Sequence, residues 1–239
     1  MRKAILAVKG AAYARHMPAT MTVPEILGEL AALEDPKMRA ANEKRGDDHG
    51  INLSKMRALA KQAGTDHALA KKLWNTGETA QRLLALLVCK PREFTADELD
   101  GMLRETRPPK VNDWFVNYIA KKSPLAEEMR LRWFGDADPT VSAAAWSLTS
   151  QRVVKDPEGL DLDRLLDLIE RDMKNAPSRP QWAMNETLAN IGIRNPELRD
   201  RAISIGSELQ VLADYPTAPG CISPFAPIWI TEMSKRGRS

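Results

Sequence analysis

The chain has 239 residues, of which 43% are hydrophobic and 28% are charged, and its formal net charge is +3. This length is sufficient for one large domain or two small ones with a substantial core. No apolar run approaches the roughly 20 residues that a membrane-spanning helix needs, which excludes a protein anchored by such helices. The small positive charge permits a polyanionic partner without requiring one, because the clustering of Lys and Arg matters more than their sum.

The cysteines and the start of the chain bear on location. Cys89 lies in an apolar run and Cys221 in a loop-like stretch, with no C-x-x-C spacing. We therefore expect reduced thiols and a cytoplasmic protein. Residues 1–20 are basic and contain no Asp or Glu. They are expected to be a flexible extension outside the fold, with a transit peptide or an apolar signal core as alternatives.

From Thr22 onward the pattern predicts one helix after another. Thr22 and Glu25 have the spacing of a capping box, and apolar residues then recur at helical intervals. The expected helices run over Val23 to Leu33, Ser54 to Gln62, a segment capped by Asp66, a run from Thr79 to the residue before Pro91, Thr95 to Glu105, Val111 to Lys121, Pro124 to Phe134, Pro139 to Gln151, Asp161 to Lys174, Arg179 to Ile191 and Pro196 to Leu212. Alternation with period two is nearly absent, so strands are not expected.

Short helices joined by punctuated turns predict an all-α fold, an α-solenoid of HEAT-like repeats over residues 21–212. A compact helical bundle is the competing architecture. Residues 213–239 change character, because several prolines alternate with large apolar side chains before a basic tail. This composition predicts a cap across the last repeat that ends in a short helix, and a lid or partner-docking strip is the alternative.

Three stretches carry a family resemblance. Residues 50–61 read GINLSKMRALAK, residues 73–78 read LWNTGE and residues 80–87 read AQRLLALL. In this order they resemble the "GVxxxxLRxLAK" and "LWxSGxxExRLLAxLL" patterns of the DNA alkylation repair family, the AlkD-like HEAT-repeat DNA glycosylases. The resemblance extends roughly from Met21 to Leu212 and is specific around residues 50–90.

The resemblance implies a chemistry. Members of this family are expected to hold double-stranded DNA in a basic concave groove and to remove N3- or N7-alkylated purines without flipping the base into a pocket. An aspartate would stabilise the developing oxocarbenium sugar and position a water, while tryptophans pack beside the lesion. A carboxylate next to a cationic sugar lowers the barrier electrostatically, and the alkylated base is already a good leaving group. No cofactor and no metal are implied.

The segment from Lys110 to Lys122, KVNDWFVNYIAKK, departs from the family at the catalytic position. The family's site helix reads approximately Trp-Asp-x-x-Asp, and the ungapped match is Asp113 to Asn117, which places Asn117 where the aspartate belongs. At an effective dielectric of about 20, loss of that charge would cost about 4 kcal/mol, or about three powers of ten in rate. A strong loss of excision is therefore predicted. In a shifted register Asp113 would be the functional carboxylate, one turn before Asn117.

Two further positions depart from the family. Ser142 lies where the family tends to carry an arginine, and Trp182 falls four residues, about one turn, before the expected tryptophan. Trp114 lies beside polar residues and is expected at a groove surface, whereas Trp74, Trp133 and Trp146 have apolar neighbours and are expected in the core.

The remaining basic residues suit a phosphate-binding face spread over consecutive repeats. The DNA-binding candidates are Lys110, Trp114, Lys121, Lys122, Arg130, Arg132, Arg152, Lys155 and Trp182. The alternative is that cations near helix ends complement the helix dipole and remain solvated. The Asp47, Asp48 and His49 cluster offers carboxylates and an imidazole, but carboxylates beside glycine more often cap the next helix than hold a metal.

Three functions remain open from the sequence. The first is a DNA-binding member of the family whose excision activity is doubtful. The second is an active alkylpurine glycosylase that uses Asp113. The third is a HEAT-repeat scaffold that binds a protein partner through its repeat surface and does not bind DNA.

Overall fold

The computed structural model describes residues 21–236, so the predicted extension at residues 1–20 lies outside the described part of the chain. Within residues 21–236 the regular structure is helical, apart from one isolated bridge between Glu34 and Ile51. The helices are α1 (Val23–Ala32), α2 (Pro36–Glu43), α3 (Leu53–Ala63), α4 (His67–Trp74), α5 (Thr79–Val88), α6 (Ala96–Glu105), α7 (Pro109–Trp114), α8 (Ala126–Trp133), α9 (Pro139–Lys155), α10 (Leu162–Asp172), α11 (Ser178–Arg194), α12 (Arg199–Leu209) and α13 (Ala226–Arg236). The all-α prediction is confirmed.

The helix starts follow the capping chemistry of the sequence. Thr22 and Thr95 each form a complete capping box, with Glu25 and Glu98 respectively. Helix α2 was not among the predicted helices, because it contains no buried residue and shows no apolar face to read. Helices α9 and α11 extend past their predicted ends, since the residues after Gln151 and Ile191 continue the helix instead of breaking it.

The helices pack as two rows. Helices α5, α7, α9 and α11 succeed one another in the first row, which we call the groove row, with α7 meeting α9 through the short turn that follows it. Helices α6 and α8 pack together, as do α10 and α12, in a second row that we call the outer row. The pairs α8–α9, α10–α11 and α11–α12 connect the two rows. This succession of paired helices is the arrangement of a helical repeat protein.

The core has two parts. One apolar cluster joins α1 to the start of α9 and contains Trp74, Trp114 and Trp133. The other runs from Trp146 to α13. Trp74, Trp133 and Trp146 are buried, so their predicted core positions are confirmed.

The chain after α12 returns to the fold. Helix α13 packs against α11 and α12, where Ala226 and Ile230 are buried. Asn185 on α11 donates to the main-chain oxygen of Pro224 at 2.8 Å. The division of the chain at residue 212 and the role of this segment as a cap stay predictions. None of the helices in the described residues is long and apolar enough to cross a membrane.

Candidate nucleic-acid interface

Helix α7 is positioned by a loop from a distant part of the sequence. Its first residue follows Pro108, which has no side-chain hydrogen bond to offer, and the carboxylate of Asp47 instead accepts from the main-chain N of Lys110 at 2.8 Å. His49 is buried and its Nδ1 accepts from the main-chain N of Ile51. Asp47 therefore caps a helix, but the predicted helix is wrong: it caps α7, about sixty residues further on, whereas the next helix, α3, is capped by Asn52.

Glycine is required in the same loop. A Cβ atom at Gly50 would lie 2.5 Å from the main-chain oxygen of Asp35, so any other residue would push the loop away from α2. Gly50 opens the GINLSKMRALAK stretch. A packing requirement thus underlies the first residue of that motif.

The helix that begins as α7 changes geometry at its centre. After Trp114 it continues as a π-helical turn over Phe115–Ile119 and a 3-10 turn over Ala120–Lys122. Single π turns inside helices are uncommon and are frequent at functional sites. Here the wider turn contains Asn117, whose Nδ2 donates to the main-chain oxygen of Asp113 at 2.9 Å.

Four side chains along this helix form one polar network. The Nδ2 of Asn117 donates to Oδ1 of Asp113 at 2.9 Å, and the Oδ1 of Asn117 accepts from Nζ of Lys121 at 3.0 Å. The Nζ of Lys110 lies 3.7 Å from Oδ2 of Asp113. Asn117 thus links an anion to a cation, and its amide has a partner at each end. A carboxylate at position 117 would face Asp113 at the same short distance.

The network lines a groove made of two adjoining depressions that share Pro109 and Asp113. The depression nearer the C-terminus is lined by polar residues of α7, α9 and α11 around a floor of small residues; these are Asn112, Asp113, Asn117, Lys121, Ala143, Ala144, Ser147, Arg179, Trp182 and Glu186. The other extends past Lys110 towards Arg45, Asn52 and Ser54. Asp113, with 54% of its side chain exposed, and Asn117 therefore face the same groove.

Trp182 lies at the rim of this groove. Its side chain is 39% exposed, and its ring packs edge to face against Tyr215 with the centroids 5.1 Å apart. Its displacement by one turn from the family position does not remove it from the groove. Arg179 is one turn earlier on the same helix and lines the same depression.

The expectation that Trp114 stands at a groove surface is wrong. Only 3% of Trp114 is exposed, because the guanidinium of Arg57 covers the ring at 4.8 Å and Tyr118 packs beside it at 5.4 Å. The indole faces the core side of α7, where it contributes packing between α7 and the N-terminal cluster. Polar neighbours in the sequence did not predict its orientation, because successive helical residues point about 100° apart.

The prediction that all of the candidate cations share one surface is also wrong. Arg130 is buried, and its guanidinium makes two hydrogen bonds of 2.8 Å to Glu127, which lowers the pKa of that carboxyl. Arg132 donates to Asp97 at 2.7 Å, on the outer row. Both arginines lie on α8, whose side chains pack towards α6 and α9 and away from the groove.

The other cations are divided in the same way. Lys122 lies 5.1 Å above the ring of Tyr118, beside the groove and not among its lining residues. Arg152 is ion-paired with Asp156 and donates to the main-chain oxygen of Glu158 at 2.8 Å. Lys155 and Arg152 line a separate depression at the end of α9. Of the predicted set, Lys110, Lys121 and Trp182 line the groove.

Several groove or rim residues were not among the candidates predicted from the sequence, and three of them carry charge or an aromatic ring. Arg179 begins a predicted helix, Glu186 lies two turns later, and Tyr215 belongs to the proline-rich segment. A helical wheel of α11 places Arg179, Trp182 and Glu186 on one face by their spacing of three and four residues, a signal that was available. Nothing local in the sequence indicates that Tyr215 returns to meet Trp182.

The fold defines a class first: this is a HEAT-like helical repeat protein with a polar groove along one row of helices. A model of the DNA alkylation repair enzyme family matches residues 26–229. The chain therefore belongs to the DNA alkylation repair family.

A solved structure shares this fold. It is described as a new family of proteins related to the HEAT-like repeat DNA glycosylases with affinity for branched DNA structures. Its TM-score is 0.73 at 20% identity, and the match covers 91% of this chain and 96% of that one. No curated protein matches the chain. The predicted resemblance is confirmed at the level of family and fold.

Proposed function

We propose that this protein binds DNA along the groove and has little or no activity in excising alkylated purines. The observation that carries the proposal is the network in which Asn117 occupies the expected carboxylate position, between Asp113 and Lys121. Lys110, Lys121 and Arg179 supply positive charge to the groove, which suits contact with phosphates. Family membership supports DNA as the partner.

The electrostatic energy available from Asp113 favours weak catalysis. A carboxylate about 4 Å from a full positive charge contributes about 4 kcal/mol at an effective dielectric of about 20, but about 1 kcal/mol in bulk water. Asp113 is more than half exposed and has Lys110 beside it. Such a carboxylate offers less than about one power of ten in rate unless bound DNA excludes the water. Asn117 positions water without adding charge.

The alternative function is excision that uses Asp113. One observation favours this alternative: Asp113 and Asn117 line one groove together with Trp182. DNA laid over this groove would bury Asp113 and raise the effect of its charge. The structure described as having affinity for branched DNA extends the binding proposal to branched as well as duplex substrates.

One experiment separates these functions. We would measure release of 7-methylguanine from methylated duplex DNA by the wild type, Asp113→Asn and Asn117→Asp. Our proposal predicts negligible release by the wild type and a gain confined to Asn117→Asp. Release by the wild type that disappears in Asp113→Asn would replace the proposal with the enzyme alternative.

A second measurement tests the binding itself. Gel-shift titrations of duplex DNA at several salt concentrations should show an affinity that falls linearly on a log–log scale, as counterion release requires. A protein that serves only as a scaffold for other proteins would show no duplex affinity even at low salt, and that result would reject the DNA proposal.

A further inference from the structure

An exposed aromatic pair stands at the groove rim. Five large apolar side chains are exposed among residues 21–236, and the two aromatic ones, Trp182 and Tyr215, are in contact. They are 39% and 47% exposed, and their ring planes meet at 68°. The other described tryptophans are buried or half-buried. Each ring leaves apolar surface in contact with water, which costs hydrophobic free energy, and the contact between the two rings offsets only part of that cost.

The pair is held in place before any ligand arrives. Trp182 lies within the second turn of α11, whose next two residues, Ala183 and Met184, are buried. Tyr215 follows a tight turn in which its main-chain N donates to the oxygen of Leu212 at 3.2 Å. The hydroxyl of Thr217 donates to the main-chain oxygen of Tyr215 at 3.1 Å. An edge-to-face contact fixes both rings while it leaves ring faces open.

The surroundings of the pair suit a nucleotide. Arg179 lies three residues before Trp182 and lines the same depression, and Lys121 lies across it on the helix that carries Asn117. A phosphate near Arg179 would bring the attached sugar and base towards Trp182. Aromatic rings beside cations are the combination that binds single-stranded nucleic acid, because every base offers a face for stacking.

We infer that Trp182 and Tyr215 form a stacking platform for an unstacked nucleobase at a discontinuity in DNA, such as a branch point. In an uninterrupted duplex both faces of each base are covered by its neighbours, so the platform would have no base to receive. At a branch, a base that has lost a neighbour exposes one face. This inference rests on the proposed binding of DNA and adds the feature of DNA that the groove rim selects.

The test compares two DNAs of the same length and sequence composition, a continuous duplex and a three-way junction. Affinities of the wild type, Trp182→Ala and Tyr215→Ala are measured by fluorescence anisotropy at one low salt concentration. We expect the wild type to prefer the junction about tenfold, within the range that stacking on one aromatic ring supports. Each alanine variant should lose most of that preference, because its affinity for the junction falls severalfold more than its affinity for the duplex, whereas Tyr215→Phe should retain the preference.

The controls separate failure of this inference from failure of DNA binding. Leu131→Ala removes another exposed apolar side chain, on α8, and should behave as the wild type. A preference that survives both alanine variants, or a wild type without preference, overturns the platform and leaves the DNA proposal standing. An equal fall on both DNAs also overturns it, because the rings would then serve the backbone. Absence of binding to either DNA rejects both proposals. If Trp182→Ala unfolds, as judged by circular dichroism, Tyr215→Ala alone decides.

Discussion

The groove and the outer row both carry basic side chains, but Lys121 in the groove differs from the outer-row arginines in its hydrogen-bond partners. On the outer row Arg104 donates to Asp136 at 2.7 Å and to Asp100 at 3.0 Å, and Arg201 similarly bridges Asp163 and Asp167. In the groove, Lys121 is bound to the neutral amide of Asn117. Among the described residues no carboxylate lies within salt-bridge distance of Lys121.

The difference teaches which cations are available to phosphate. An arginine held by two carboxylates has its charge compensated and would have to break those pairs to bind DNA. A lysine held by an amide keeps its full charge, because the amide contributes only a dipole. Proximity of basic residues in the sequence therefore says less about binding than the partners that the fold supplies.

Charge reversal in the groove would give the largest effect. The double variant Lys121→Glu/Arg179→Glu should bind duplex DNA about a hundredfold more weakly at low salt and show a shallower salt dependence, since two phosphate contacts are lost. Affinity would be measured by anisotropy between low and moderate salt.

The matched control is the same reversal on the outer row. Arg132→Glu/Arg201→Glu changes the net charge by the same amount, beside Asp97 and Asp100 on α6 and beside Asp163 and Asp167 on α10. We expect duplex affinity to fall less than threefold, as for a distant screened charge. Equal losses from the two rows would mean that net charge, and not the groove, determines binding.

Much of the fold was readable in the sequence. Capping residues such as Thr22 and Thr95 and the helical recurrence of apolar side chains define most helices. Motif resemblance then indicated a repeat architecture and the helix that carries Asp113 and Asn117. These features depend on residues that are close together in the sequence, so they can be predicted from the sequence alone.

The orientation of individual side chains could not be predicted from the sequence. Trp114 was expected at a surface and is covered by Arg57 from α3, a contact between residues far apart in the sequence. Arg130 was expected in the groove and is instead sequestered by Glu127, one turn earlier on its own helix. The π turn at Phe115–Ile119 rotates the rest of its helix relative to an α-helical projection. Side-chain partners and helix geometry, which residue type alone does not give, thus decide which predicted site residues meet.

A substitution in the outer row should lower stability without changing DNA binding. The indole Nε1 of the fully buried Trp133 donates to Oδ1 of Asp100 at 2.8 Å. Asp100→Ala would leave that donor unsatisfied and should lower the free energy of unfolding by about 2 kcal/mol. Urea denaturation followed by circular dichroism measures this change. Duplex affinity of the folded variant should equal that of the wild type, and a lost affinity would show that the outer row takes part in binding.

The same cluster should make stability depend on acid. The pKa of Asp100 is lowered chiefly by its hydrogen bond from Arg104, and the pKa of Asp136 is lowered by the same guanidinium. For a carboxyl whose folded-state pKa is depressed, the stabilisation is present above the unfolded pKa of about 3.9 and is lost as the pH falls through the folded value. Urea midpoints measured from pH 7 down to pH 3 should therefore fall more steeply below pH 4 in the wild type than in Asp100→Asn. Parallel curves would contradict the assignment.

The smallest expected change in stability is that of Asn117→Asp in the groove network, and it determines how the excision assay is interpreted. In Asn117→Asp the new carboxylate faces Asp113 where a hydrogen bond stood, which destabilises, but it gains an ion pair with Lys121, which stabilises. Pairs one helical turn apart contribute about 0.2–0.5 kcal/mol each, so the two effects nearly cancel. We expect an unfolding free energy within about 0.5 kcal/mol of the wild type in urea titrations at low salt.

Asn117→Leu, which removes both polar contacts without adding charge, serves as the control and should destabilise more. With folding unchanged, any 7-methylguanine released by Asn117→Asp is attributable to the restored charge, whereas a loss above about 2 kcal/mol would mean that Asn117 is retained for the stability of the π turn.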